Sequence, residues 1–414
     1  MQLKVLRVFE PCASEKIQGM AGLSIAHCWR GSFELLVSVV SGLGGCLPQR
    51  LAAGPFSGQA PPESLPQITQ RDLERAMREA VAQLQRWDGG RIVRVKRLQD
   101  AARNSGYVEL MRTQAGAYFV VKRMPNEWVR LGFKEFARAH PDSGEKPWED
   151  IGLVRHLNAI GFPFVCKLLG VFRSDSETLV ATTFASGGDL FGWVERETTP
   201  APGPRREAVM LDLATQIFSG VRWLHELGIA HRDLSLENLL LEDVGWGRQA
   251  VRIIDFGMAT LSRFARREVR GKASYQAPEM HSEDSCDCFL LDSFALGVIL
   301  FALASQDYPW MSTKRNCCKL FDYVVTFGLR RFLERRKLRN GNGESLSDVF
   351  SSELTETIEA LVWSDGELRA SLGEACYSSQ PAAHASCTAR SSVWDMAWLK
   401  RGSGLQWSRR ASWI

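Results

Sequence analysis

The chain has 414 residues, of which 45% are hydrophobic, 24% charged and 10% aromatic. Those fractions exclude wholesale disorder, a collagen-like repeat and a membrane protein of many spans. Lys and Arg number 51 against 47 Asp and Glu, and the formal charge of +4 argues against a global polyanion partner, so no nucleic acid is expected.

Ten cysteines form no CxxC pair or metal-ligand run, which predicts reduced thiols and an intracellular, cytoplasmic setting. Residues 1–66 hold no sustained period and finish in the Gly/Pro-rich AAGPFSGQAPPESLP, a flexible extension and linker. Within them, GSFELLVSVVSGLGGCL (31–47) is apolar, but Glu34 interrupts it and the uncharged run falls short of the ~20 residues of a spanning helix. Gly42, Gly44 and Gly45 weaken it further, so no membrane anchor is expected.

Residues 67–90 predict an amphipathic helix. Thr69 can cap it, Leu73, Met77, Val81 and Leu84 recur at helical spacing up to Trp87, and Asp88-Gly89-Gly90 stop it. With little more than two heptads, packing on a neighbouring domain is expected rather than a coiled coil. Residues 91–185 then read as short strands (RIVRVKRL, GYVELMRT, AYFVVKRM, CKLLGVF, ETLVATTF) around one helix, PWEDIGLVRHLNAIG. Residues 186–376 turn helical, with REAVMLDLATQIFSGVRWLHELG and the strongly apolar FLLDSFALGVILFALAS. A β-rich part before a helical part predicts an α+β unit of two lobes. Residues 377–414 are Ser/Ala-rich and carry Trp394, Trp398, Trp407 and Trp413. Part of this tail is expected to pack on the helical lobe. Its Arg409-Arg410-Ala411-Ser412 has the form of a basic-directed phosphorylation site.

The chemistry sits in three linked stretches: HRDLSLENLL (231–240), Asp255-Phe256-Gly257, and Ala277-Pro278-Glu279. A given tripeptide turns up by chance roughly once per 8,000 positions, so three in this order, with Asn238 five residues after Asp233, leave little room for coincidence. In these residues the chain resembles the protein kinase family over about residues 95 to 376. The resemblance implies a bilobal protein kinase fold, with a small β-rich N-lobe holding one main helix and a larger helical C-lobe. It also implies ATP and Mg²⁺ as cofactors and a Ser/Thr-bearing protein as substrate; oligomeric state stays open.

Carried over by position, Asp233 orients the substrate hydroxyl and accepts its proton, and Asn238 and Asp255 supply oxygen ligands to Mg²⁺. Lys122 matches the strand lysine that holds the α/β-phosphates, and Val108, fourteen residues earlier, the valine that packs on adenine. Of the glycine-rich loop only Gly106 remains; Ala101 and Arg103 take the other two positions, where side chains crowd the backbone's approach to phosphate. Either Asp150 or Glu149 falls at the helix carboxylate that pairs with Lys122. Thr182 matches the gatekeeper, Thr183 and Ala185 the hinge backbone at the adenine edge, and Asp189 the ribose contact. Glu279 with Arg369, and Asp292, match structural positions that tie the activation segment and the catalytic loop to the helical lobe.

Two departures matter. Ser235 stands where serine/threonine kinases carry Lys, and Lys272 where they carry Thr, which suggests a swap in which Lys272 supplies the missing ammonium from the opposite side. Glu268 stands where many kinases carry a phosphorylated threonine. It either pairs with Arg232 and orders the segment without phosphorylation, or is a solvated charge among neighbouring arginines. The expected function is a serine/threonine protein kinase. The alternative is a pseudokinase scaffold, suggested by the worn glycine loop and Ser235; a small-molecule kinase is disfavoured by the Ala-Pro-Glu segment.

Overall fold

The computed structural model of the chain describes residues 66–101, 105–339, 341, 343–378 and 390–401. The apolar stretch 31–47, Arg103, Trp407, Trp413 and the 409–412 site lie outside them.

The N-terminal helix α1 (Gln70–Ala82) starts at a reciprocal cap: Thr69 Oγ1 accepts from Asp72 N at 3.2 Å and Asp72 Oδ2 accepts from Thr69 N at 3.0 Å. It ends at Ala82, five residues before Trp87. The apolar period continued through Leu84, but the chain there leaves the helix and adds strand β1 (Gln85–Arg86) in parallel to β5 (Leu168–Arg173). Pairing with an open sheet edge satisfies backbone groups that a last helical turn would leave to solvent. Trp87 then packs edge-on against Phe172 at 5.2 Å.

The N-lobe is a six-stranded sheet in the order β1-β5-β6-β4-β3-β2, where β2 is Ile92–Ala101, β3 Gly106–Thr113, β4 Tyr118–Pro125 and β6 Glu177–Thr183. Alternation along β4 decides what faces the cleft. Phe119 and Val121 turn into a small core with Met111, Leu179 and Ala181, so Val120 and Lys122 point to the other face. Register sets Val108 and Val180 directly beside Lys122 there, and Thr182 beside Val120. Helix α2 (Pro147–Ala159) packs between this sheet and α1.

The C-lobe is built around α4 (Cys288–Ser305), of which every residue is buried. That helix is long and apolar enough to cross a membrane by composition, but here it is the lobe's core. Asp287 caps it, accepting from Phe289 N at 3.1 Å. Around it lie α3 (Pro204–Glu226) and the helix Ser352–Leu361. Arg369 donates to both oxygens of buried Glu279 at 2.6 and 2.8 Å and to the carbonyls of Leu290 and Trp363. Removing one partner of such a pair costs on the order of 3–5 kcal/mol. Of the tail, Val393, Trp398 and Leu399 are buried in this lobe, and Trp398 Nε1 donates to Glu207 at 3.3 Å.

Candidate active site

Between the lobes, three segments meet at Lys122. Its ammonium lies 3.2 Å from Asp150 Oδ2 and 3.3 Å from Asp255 Oδ1. Burial works against the charge, but Asp255, Asp150 and Glu145 outweigh it and hold the ammonium well above the usual lysine range. Of the two candidate carboxylates, Asp150 reaches the lysine, while Glu149 bonds Lys146 at 3.0 Å. The shorter Asp side chain suffices because α2 sits close. Lys146 N donates to Gly257 O at 2.8 Å, and Asp150 Oδ1 accepts from Phe256 N at 3.0 Å. One carboxylate therefore binds both the strand lysine and the backbone beside Asp255.

The loop 231–238 approaches from below. Asn238 Nδ2 donates to Asp233 O at 2.7 Å, and Ile254 N donates to Asn238 O at 3.1 Å. The first bond fixes the amide beside Asp233, and the second sets Asn238 next to Asp255. Asp255 and Arg232 hold left-handed backbone angles, φ 65° and 63°, which non-glycine residues adopt at a cost of order 1–3 kcal/mol. Asp292, buried in α4, holds this loop by accepting from His231 N at 2.7 Å and Arg232 N at 2.8 Å. Among the described residues no cluster of three His, Cys, Asp or Glu side chains could hold a metal. Asp255 and Asn238 instead offer a pair of hard oxygens, a set that suits Mg²⁺ when phosphate oxygens and water complete its shell.

The activation segment closes the loop from the other side. Gly271 has φ +82°, and a Cβ there would lie 2.9 Å from Arg232 O, so the chain passes too close for a side chain. Lys272 follows at once, its Nζ 3.1 Å from Ser235 Oγ and 2.9 Å from Glu237 Oε2. The two exchanged residues touch; the ion pair with Glu237 has no signal in the spacing. Glu268 meets Arg232, whose Nη1 lies 2.7 Å from Oε2 and whose Nη2 donates to Glu268 O at 2.9 Å, and Arg270 adds a contact at 2.9 Å. Burial raises that carboxyl, but the bond from Arg232 and the charge of Arg270 prevail and hold it below its usual value.

The remaining expected positions are also placed. Ala101 pairs with Gly106, and Gln99 lies opposite Val108, so a polar side chain adjoins the position expected to cover adenine. Thr182 follows Lys122 on the cleft face of the sheet. Thr183 N donates to Lys167 O at 2.9 Å, and Ala185 is buried. Asp189 caps the helix Leu190–Glu195, accepting from Gly192 N at 2.6 Å, so part of its bonding capacity serves that helix.

One group was not foreseen. His225, buried in α3, bonds Asp292 through Nε2 at 3.1 Å and Glu374 through Nδ1 at 2.6 Å, and stacks on Phe289. Burial alone would push the imidazole down, yet the hydrogen bonds and charges of Asp292 and Glu374 raise it to about 9. It is thus an imidazolium between two carboxylates, and it holds Asp292 ionised, below its usual value despite burial.

Comparison with known proteins agrees with this geometry. The family described as protein kinase domain matches residues 105–379. The chain is 30% identical over 222 residues to serine/threonine-protein kinase grp of Drosophila melanogaster, covering 50% of this chain and 40% of that protein. It is 31% identical over 159 residues to CBL-interacting serine/threonine-protein kinase 13 of Arabidopsis thaliana, covering 37% and 30%. Against CBL-interacting protein kinase 26 of Oryza sativa subsp. japonica it is 32% identical over 166 residues, covering 39% and 30%. In each case the match spans less than half of the relative's length.

Because the raised His225 pKa belongs to the folded state, its stabilisation is complete below about pH 6.5 and is lost as pH rises through about 9. Urea unfolding of wild type and His225→Gln from about pH 6 to about pH 10 should show a stability gap that shrinks by on the order of 3 kcal/mol across that window. A gap independent of pH would contradict a charged His225.

Proposed function

The chain belongs to the protein kinase family, and from that premise we propose that it is a serine/threonine protein kinase, transferring the γ-phosphoryl group of Mg-ATP to a protein hydroxyl. The observation that carries the reading is Lys122, bonded at once to Asp150 and Asp255. That arrangement sets an ammonium against the phosphates and leaves a carboxylate beside it for the metal.

In the proposed step, Asp233 accepts the proton of the substrate hydroxyl as its oxygen bonds the γ-phosphorus. The bond from that phosphorus to the bridging oxygen breaks, and ADP leaves. Asp255 and Asn238 would hold Mg²⁺, which would supply positive charge against the phosphate oxygens. Lys122 orients the α/β-phosphates; Val108, Thr182, Thr183 and Ala185 line the adenine site; Gly106 closes the phosphate loop; Asp189 adjoins the ribose. Lys272 stands where its ammonium, anchored by Ser235 and Glu237, adds charge beside the transferred group. The Glu268–Arg232 pair supports a segment held in place without phosphorylation. The six described cysteines are free thiols, which fits an intracellular setting.

The scaffold alternative rests on Ala101 and Arg103 at glycine positions. The engaged Lys122–Asp150 pair favours the enzyme, because it holds a half-buried ammonium where the proposed reaction needs positive charge.

Incubated with Mg-ATP and a serine/threonine peptide library, the wild-type protein should phosphorylate a subset of peptides. Asp233→Asn should lower kcat by about 10²–10⁴-fold with nucleotide binding retained. No transfer by the wild type, or an unimpaired Asp233→Asn, overturns the reading.

Lys272→Met should lower kcat by about 10²–10³-fold, and the paired change Ser235→Lys with Lys272→Thr should restore most of it. A harmless Lys272→Met removes the ammonium from the mechanism.

A further inference from the structure

Helix α1 buries the stripe Leu73, Ala76, Met77 and Ala80, and much of that face lies on α2. The contact centres on Gly152. A Cβ at Gly152 would lie 2.7 Å from Met77 Cγ and 2.9 Å from Leu73 Cδ1, so the two helices approach as closely as they do only because that side chain is missing. Glycine inside a helix costs about 1 kcal/mol relative to alanine, and α2 has no side-chain cap at its start. Helix α2 is thus weak in local propensity at the point where α1 covers it. Beside the glycine, Arg155 Nε bonds Glu79 Oε2 at 3.2 Å.

Position on the helix gives this contact a role. Asp150 and Gly152 are two residues apart, about 200° around an α-helix, and so occupy nearly opposite faces. Asp150 reaches forward to Lys122 and Phe256 N, and Gly152 takes α1 from behind. The aspartate is one C–C bond shorter than glutamate, about 1.5 Å, so its helix must stand closer to the strand lysine.

The segment is also tied at both ends. Ile68 N donates to Leu227 O at 2.8 Å, in the C-lobe just before the chain enters the loop at His231. Gln85 and Arg86 pair with Phe172 and Arg173 at the N-lobe sheet edge, and Trp87 N donates to Arg173 O at 3.0 Å. Residues 68–87 therefore run as a strap from the root of the catalytic loop, across the back of α2, to the edge of the N-lobe sheet.

We propose that this strap is an intramolecular clamp that holds α2 forward, with Leu73 and Met77 as positioning residues that keep Asp150 on Lys122. The proposal rests on the kinase reading above for its effect on turnover, but not for its effect on structure.

The test uses the full chain in three forms: wild type, Gly152→Ala, and Gly152→Ala combined with Met77→Ala. In the double variant the new methyl takes the space of the Met77 Cγ it would strike, so the helix contact is kept with its partners exchanged. Leu73 Cδ1, 2.9 Å away at the end of its side chain, can turn aside. Turnover of a peptide that the wild type phosphorylates is measured together with hydrogen exchange at the amide of Phe256, which Asp150 Oδ1 protects. Gly152→Ala should lower kcat at least fivefold, with KM for the peptide unchanged, and speed exchange at Phe256 while α4 stays protected. The double variant should recover at least threefold of the lost kcat and the slow exchange. Wild-type turnover and exchange in Gly152→Ala overturn the clamp, as does a double variant no better than the single one. If the wild type transfers no phosphate, the kinase reading fails and exchange alone decides. Faster exchange that the second substitution reverses sustains the clamp; unchanged exchange refutes it.

Discussion

An ammonium drawn partly out of water needs carboxylates around it, and two separate segments of this chain answer that need at Lys122. Its two partners come from separate parts of the chain, Asp150 from α2 and Asp255 from the turn after strand Gln249–Ile253. Each is bonded into its own lobe or loop, so satisfying one side chain closes the cleft. Asp150 does this twice, through the lysine and through the amide of Phe256. The arrangement suits the polyphosphate of the proposed reaction. The positive charge is fixed, and a carboxylate that a metal can share is already beside it.

A second network holds the loop that carries Asp233. It hangs from α4 through Asp292, whose carboxylate takes two backbone amides and a charged imidazole, with Glu374 behind that imidazole. Such a chain of bonds offsets the left-handed strain at Arg232. On the solvent side the same arginine turns to Glu268, so loop and activation segment share one guanidinium. Buried charge in the C-lobe is thus organised around geometry at the site, as is the Glu279–Arg369 pair that secures the end of the segment. Two of the close approaches around the site rely on glycine: Gly271 against the catalytic loop, and Gly152 against α1.

Much of this was legible in the residues. The linked stretches that bring Asp233, Asn238 and Asp255 together stand in fixed spacing, and period-two alternation in AYFVVKRM puts Lys122 on the face opposite Val121. The Lys272–Ser235 contact was readable because two departures from one pattern pointed at each other. The choice between Glu149 and Asp150 was not, because adjacent helix residues differ by about 100° of rotation and only packing sets that angle. Nor was the His225–Glu374 bond, which joins residues 149 apart in the chain with no motif between them. The end of α1 departs from the apolar period for a related reason. Leu84 and Trp87 continue an apolar period, and the open edge of β5, a tertiary feature, turns that stretch into a strand. Gly152 was the overlooked clue, a glycine in a helical pattern where a second helix must come close.

The central claim is that Lys122 and Asp255 together grip a metal-bound nucleotide, and calorimetric titration of ATP with and without Mg²⁺ tests it most directly. The wild type should bind ATP far more tightly when Mg²⁺ is present. Lys122→Met should weaken that binding at least tenfold, and Asp255→Asn should abolish the metal's contribution. Affinity that is indifferent to Mg²⁺ and to both substitutions would contradict the account.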